Sequence, residues 1–323
     1  MITTARIVSA FSSILLALAT TALPAQDRNI AFPVPELEQM LDHEPMTIVS
    51  AQVSRPKAKG DITLKADVTF GDRAPFRVKV RKAEPGADTF NNVPRYDLAA
   101  YELQKLFLDP AEYVVPPTSL RMLPLDELRK YSPDVHRTFP GADEVLVVVQ
   151  YWLNDILVVA DIFDPKRFDT DPVYARHIGQ LNVFTYLIEH RDSNAGNFLI
   201  SRAESGPRVF SIDHGVAFAS AESDRGMLWK EMRVSRLPAD LVARLRQITP
   251  AMLDEKLSVL AEWHLADGKY QAVAPGAKMS GAGGVRRSGG TVQMGLKSTE
   301  IARVQKLLAA LLGRVDRGEI TTY

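Results

Sequence analysis

One stretch limits what this chain can become: Ile188 to Phe218, IEHRDSNAGNFLISRAESGPRVFSIDHGVAF. It reads as the end of an apolar helix, a polar loop, a short strand, a turn and a second strand. Asp213 stands at the end of that second strand. If the two strands pair as a hairpin, Asn197 and Asp213 fall at the same end of it, next to the His190-Arg191-Asp192 loop. Asp, Asn and Gly are ordinary turn formers, so each residue alone says little. The weight rests on the compound order: Asp192, four residues, Asn197, an apolar strand, then Val-Phe-Ser-Ile-Asp-His-Gly.

That order suits phosphoryl transfer. The reaction needs a group to orient or deprotonate the acceptor hydroxyl, an oxygen ligand for a metal from the same loop, and a second metal carboxylate nearby. Asp192 is the candidate for the first role, and Asn197 and Asp213 for the metal. The chain has no cysteine, so metal sites must use Asp, Glu, Asn or His. Such oxygen ligands suit Mg²⁺ or Mn²⁺.

Lys plus Arg balances Asp plus Glu, giving a formal net charge of zero. This gives no bulk attraction to nucleic acid or anionic lipid, so none is expected as a partner. The N-terminus differs from the rest. Arg6 precedes the charge-free apolar run Ile7 to Leu18, then Thr-Ala-Leu-Pro-Ala, and charge returns at Asp27-Arg28. This is the layout of a signal peptide over 1–25, with export to the periplasm or medium and no stable membrane span after cleavage.

The rest of the chain reads as an α+β protein. A helix is expected over Val34 to Asp42, and strands over Thr47 to Ser54, Ile62 to Phe70 and Phe76 to Arg81. In the third strand Phe76, Val78 and Val80 face one way and Arg77, Lys79 and Arg81 the other. Lys79 is the expected phosphate cation, with Lys65 on the second strand in reach of the same phosphates. A helix over Tyr96 to Phe107 offers Asp97 or Glu102 as the acid partner. The turn Arg55 to Gly60 has one glycine and three cations, so side chains must replace part of a backbone phosphate cradle. Val114 to Leu120 is extended, Leu125 to Tyr131 a surface turn, and Glu144 to Leu153 a central strand. The end of that strand, Gln150 to Asn154, is the expected hinge at which adenine binds. Helices are expected over Pro172 to Glu189, Ala239 to Ile248, Pro250 to His264 and Thr299 to Arg317. Ala274 to Leu296, rich in Gly, Ala and Ser, reads as a mobile loop.

Several of these motifs resemble the atypical kinase group of phosphatidylinositol 3-/4-kinase-like, HipA-like and Golgi secretory-pathway casein kinase-like proteins. The spacing Asp192-x4-Asn197 resembles the kinase catalytic loop, and Asp213-His214-Gly215 stands where Asp-Phe-Gly would. Thr63-Leu64-Lys65, Asp97-Leu98-Ala99-Ala100-Tyr101, Val115-Pro116-Pro117-Thr118 and Ile212-Asp213-His214-Gly215-Val216-Ala217-Phe218 are similar to that group's motifs. The likeness runs over roughly Lys59 to Ser220. It implies a two-lobed protein-kinase-like fold, with a small β-rich lobe over 33–151 and a larger helical lobe over 152–323. It implies ATP in the cleft, Lys79 as phosphate lysine, Asp97 as its partner, Asn197 and Asp213 on the metal, and Asp192 as catalytic acid-base. The group's Phe-Lys-Pro motif can also register on Arg77.

The expectation is an exported kinase-like phosphotransferase moving the ATP γ-phosphate to a hydroxyl acceptor, with two Mg²⁺ or Mn²⁺ sites made by Asn197 and Asp213. The acceptor is a protein, a lipid headgroup or a small molecule. Two alternatives stand beside it. One is a nucleotide-binding pseudokinase or scaffold. The other is a metal-dependent phosphoesterase built on His190, Asp192, Asp213 and His214.

Overall fold

The computed structural model describes residues 29–54, 63–89, 92–202, 208–218 and 227–323. The expected signal peptide over 1–25 and the cationic turn Arg55 to Gly60 lie outside these residues. The chain is mixed α+β, with a sheet early and most of the helices later. Among the described residues no helix is long and apolar enough to cross a membrane.

Helix α1 (Val34–His43) begins with a proline two residues in and buries Val34, Leu37, Met40 and Leu41. Strands β1 (Met46–Val53), β2 (Thr63–Phe70) and β3 (Phe76–Lys82) follow, then helix α2 (Pro94–Gln104). Strand β4 (Thr118–Pro124) runs into the short helix α3 (Leu125–Arg129), and β5 (Glu144–Tyr151) completes a five-stranded sheet ordered β1-β2-β3-β5-β4. Every neighbouring pair in it is antiparallel. The expected surface turn over Leu125 to Tyr131 is thus a helix, because Leu125 and Leu128 are buried and tie it to the sheet.

Alternation along the strands divides this sheet into two unlike faces. Leu64, Ala66, Val68, Phe70, Val78, Val80, Val145, Val147 and Val149 form one core with Leu37, Met40 and Leu41 of α1. The opposite face carries Leu120, Leu146 and Val148 into a second, larger core with α2. That face also carries the polar row Lys65, Lys79, Gln150 and Thr118, cross-strand neighbours in succession. A sheet whose one face is mostly apolar has its register pinned, since a slip of one residue would turn the cations of the other face into the core.

Strand β6 (Ile156–Val158), helix α4 (Pro165–Thr170) and helix α5 (Pro172–Leu187) come next. Asp171 caps α5 by accepting from the Val173 and Tyr174 amides, and Pro172 sits where its missing N–H costs nothing. The helix is buried almost throughout, which fixes where its C-terminus delivers the following loop. Strands β7 (Phe198–Ser201) and β8 (Val209–Ser211) then pair antiparallel, with β6 on the far edge of β7.

The C-terminal part holds β9 (Arg236–Leu237), α6 (Ala239–Gln247), α7 (Pro250–Leu257), β10 (Ala261–Ala266), β11 (Lys269–Val273), β12 (Val285–Ser288), β13 (Thr291–Met294), α8 (Ser298–Asp316) and β14 (Thr321–Thr322). Two expectations fail here. The helix expected over Pro250 to His264 stops at Leu257, and Ala261–Ala266 is a strand. The loop expected over Ala274 to Leu296 contains β12 and β13, half of a four-stranded sheet ordered β11-β10-β13-β12. Asp267-Gly268 and Gly289-Gly290 each have positive φ at both residues and close tight hairpins. The buried Arg286 holds this sheet from beneath, donating to Gln293 Oε1 at 3.0 Å and to the Ser258 carbonyl at 2.5 Å.

The last helix is tied to α2 by an internal ion pair. Arg95, 1% exposed, donates to Glu300 at 2.6 and 3.0 Å and to Asp88 at 2.7 Å. The Tyr96 hydroxyl adds a third bond to Glu300 at 2.6 Å.

Candidate functional site

The loop after α5 is folded by its own polar side chains. Asn194 Nδ2 donates to Asp192 Oδ1 at 2.9 Å, and Asn194 Oδ1 accepts from the Gly196 amide at 3.0 Å. Asn197 Nδ2 donates to the Asp192 carbonyl at 2.7 Å, which turns the amide oxygen of Asn197 to the other side. The Ile212 amide donates to the Asn197 carbonyl at 3.0 Å, so the hairpin brings Asn197 beside the residue preceding Asp213. Asp192 and Asn197 are both buried, while the Asp213 side chain is about one-third exposed.

Asp213 has φ +61°, a left-handed conformation that Asp tolerates better than most residues. The next amide, of His214, donates to Asp97 Oδ1 at 3.0 Å. Asp97 thereby reaches from α2 to hold the Asp-His-Gly turn. Gly215 is required by contact: a Cβ there would overlap the Arg81 guanidinium.

The structure assigns different partners to the strand cations than the sequence suggested. Lys79, expected to pair with Asp97, forms its ion pair with Asp213. Arg81 takes Asp97 at 3.3 Å, and its Nε and Nη2 also donate to Asn92 Oδ1 at 3.1 and 2.8 Å. Arg81 is therefore the strand cation facing the helix acid, and it was missed. The signal for it was the strand alternation itself, which puts Arg81 on the same face as Lys79. Arg77 lies at the exposed end of that face and pairs with Asp67 at 2.9 Å, away from Asp213. Glu102 is excluded as the helix acid, because it pairs with Lys105 and Lys256 instead.

The remaining expected nucleotide contacts are mixed. Lys65 neighbours Lys79 across the strands, but its ammonium lies 4.8 Å above the Trp152 ring. Gln150, the other cross-strand neighbour of Lys79, donates to Thr118 Oγ1 at 2.9 Å and forms a wall of the site. At the expected adenine hinge the amides of Tyr151, Trp152 and Asn154 already donate to the carbonyls of Pro117, Arg77 and Asn29.

His190 and His214 lie inside the protein, fully buried, with ring centroids 5.1 Å apart. His214 Nε2 is 2.9 Å from Ser211 Oγ. Burial pushes the His190 pKa down to about 4, against the opposing pull of Asp192 and Asp97. Burial, with His190 as neighbour, pushes His214 down as well. Both imidazoles pack as core groups, which removes two of the four ligands that a phosphoesterase reading requires. Among the described residues no three His, Asp or Glu side chains converge as a metal cluster. The donor set at hand is one amide oxygen and one carboxylate, a set that fits an oxygen-loving divalent ion completed by phosphate and water.

Comparison with known proteins adds no relative: no family model matches the chain, and no curated protein matches it either.

Proposed function

We propose that this chain is an exported phosphotransferase with a two-lobed protein-kinase-like fold, moving the ATP γ-phosphate to a hydroxyl acceptor. The observation that supports it most is the convergence on Asp213. A strand cation, Lys79, pairs with it; the Asn197 loop is bonded to the residue before it; and a helix acid, Asp97, holds the residue after it. Phosphoryl transfer is catalysed mainly by positioning and by charge neutralisation, and these groups supply both.

Asp192 orients the acceptor hydroxyl and takes its proton as the hydroxyl oxygen bonds to the γ-phosphorus and the bond from that phosphorus to the β,γ-bridging oxygen breaks, releasing ADP. Its Oδ1 is already fixed by Asn194, so the carboxylate is held rather than searching. Lys79 neutralises phosphate oxygens as a point charge. Arg81, locked between Asn92 and Asp97, keeps the Asp-His-Gly turn in place. Asn197 and Asp213 would hold a divalent ion, which would supply neutralisation of the negative charge that develops during transfer.

The test separates binding from turnover. Asp213→Ala should weaken metal-dependent nucleotide affinity at least tenfold, about 1.4 kcal/mol. Asp192→Asn should leave that affinity within about threefold while cutting transfer by a factor on the order of 10² or more. Nucleotide titrations at fixed Mn²⁺ read the first effect, and transfer to a hydroxyl acceptor reads the second. Wild-type affinity in both variants would remove Asp213 as a metal ligand and take the proposal with it. Nucleotide binding without transfer to any acceptor would put a pseudokinase in its place.

A further inference from the structure

Asp213 is crowded by positive charge on one side. Lys79 Nζ and Arg81 Nη1 both lie against the same oxygen, Oδ1, the guanidinium at 3.9 Å. Arg81 is anchored by Asn92 and Asp97, so its charge stays whatever binds nearby. Asp97 in turn is occupied by Arg81 and the His214 amide. Of the oxygens assigned to a metal above, Oδ1 of Asp213 is thus taken by cations, which leaves Oδ2 of Asp213 and the amide oxygen of Asn197.

A two-metal clamp has different needs. Two ions about 4 Å apart commonly share a carboxylate through both of its oxygens. Here one of those oxygens is already bound by cations. A second divalent ion at Oδ1 would have to displace the Lys79 ammonium and then sit beside the fixed Arg81 guanidinium.

We propose that the site works with a single divalent ion, and that Lys79 supplies the positive charge that a second ion supplies in two-metal phosphotransferases. The inference rests on the nucleotide-binding reading above and deepens it. It gives a reason for two cations converging on one carboxylate, where one would serve to pair with a helix acid. It also separates two roles: Arg81 positions the Asp-His-Gly turn, and Lys79 is the charge that faces the ligand.

Metal counting tests this without turnover. The full chain is titrated with Mn²⁺ in the presence of a non-hydrolysable ATP analogue, and free Mn²⁺ is read by electron paramagnetic resonance. Wild type should bind one Mn²⁺ per nucleotide-loaded chain. Lys79→Gln should acquire a second, bound at least tenfold more tightly than any second ion in wild type. Lys79→Arg, which keeps the charge, should remain at one. Two ions of similar affinity in wild type would overturn the inference while leaving the nucleotide reading intact. So would a single ion in Lys79→Gln whose circular dichroism matches wild type. Should Lys79→Gln fail to fold, the wild-type count decides alone. Absence of nucleotide binding at any Mn²⁺ concentration would sink both readings together.

Discussion

Arg77, Lys79 and Arg81 project from one face of β3, yet each meets a different acid: Asp67, Asp213 and Asp97. Alternation made all three visible in the sequence as one cationic face. Which of them meets the helix acid depends on where α2 lands over the sheet, and no local pattern encodes that. Arg77→Ala should therefore leave nucleotide affinity within about twofold and stability within about 1 kcal/mol, because an exposed pair is worth little. Gly215 is the more sensitive position. An added methyl collides with the Arg81 guanidinium, which is itself locked on both sides, and overpacking of this kind costs about 1–3 kcal/mol. Urea denaturation of Gly215→Ala should show that loss. An unchanged midpoint would mean that Arg81 moves aside freely and positions nothing. The nearness of Asn197 and Asp213 was legible because hairpin pairing forces the ends of β7 and β8 together, whereas Asp192 is held there by the side chains of Asn194 and Asn197.

At the level of elements, the sequence spoke clearly where periodicity was clean and misled where composition dominated. Helix α5 and strand β5 carry long apolar patterns and stand where the pattern put them. Ala274 to Leu296 looked unstructured because it is rich in Gly and Ser. Its strands rest on buried Val292 and Met294 and on the internal Arg286, features that tertiary packing supplies. A local signal did exist: Gly289-Gly290 between short β-prone runs marks a two-residue hairpin. Ala261 to His264 reads as the end of the preceding helix because Trp263 follows Val259 and Leu260 at helical spacing. The α2–α8 tie had no sequence signal at all. Glu300→Ala leaves the buried guanidinium with Asp88 as its remaining acid, so it should cost about 3 kcal/mol in a denaturation experiment, the lower end for a broken buried pair. Replacing Arg95 and Glu300 together by apolar residues should cost much less than the single change. Equal losses would show that the pair's charges are not what matters.

Across the whole molecule, acid should be destabilising well before carboxylates titrate. His190 holds a pKa of about 4 in the fold because burial disfavours its charge, against about 6.5 when unfolded. Between those values the unfolded chain binds the extra proton, so unfolding gains as pH falls. The contribution is complete above about pH 6.5 and shrinks toward about pH 4, a loss on the order of 3 kcal/mol. His214 shifts in the same direction. Guanidinium midpoints at pH 7 and pH 5 should differ accordingly, and equal midpoints would contradict neutral burial. The α2–α8 tie has a further consequence, in the order of synthesis. Arg95 leaves the ribosome 205 residues ahead of Glu300, the second of the two acids that neutralise it. Until Glu300 arrives, the guanidinium that α2 must bury has only Asp88 to pair with. The bonds that tie α2 down from its far side are therefore completed only when the last helix is made.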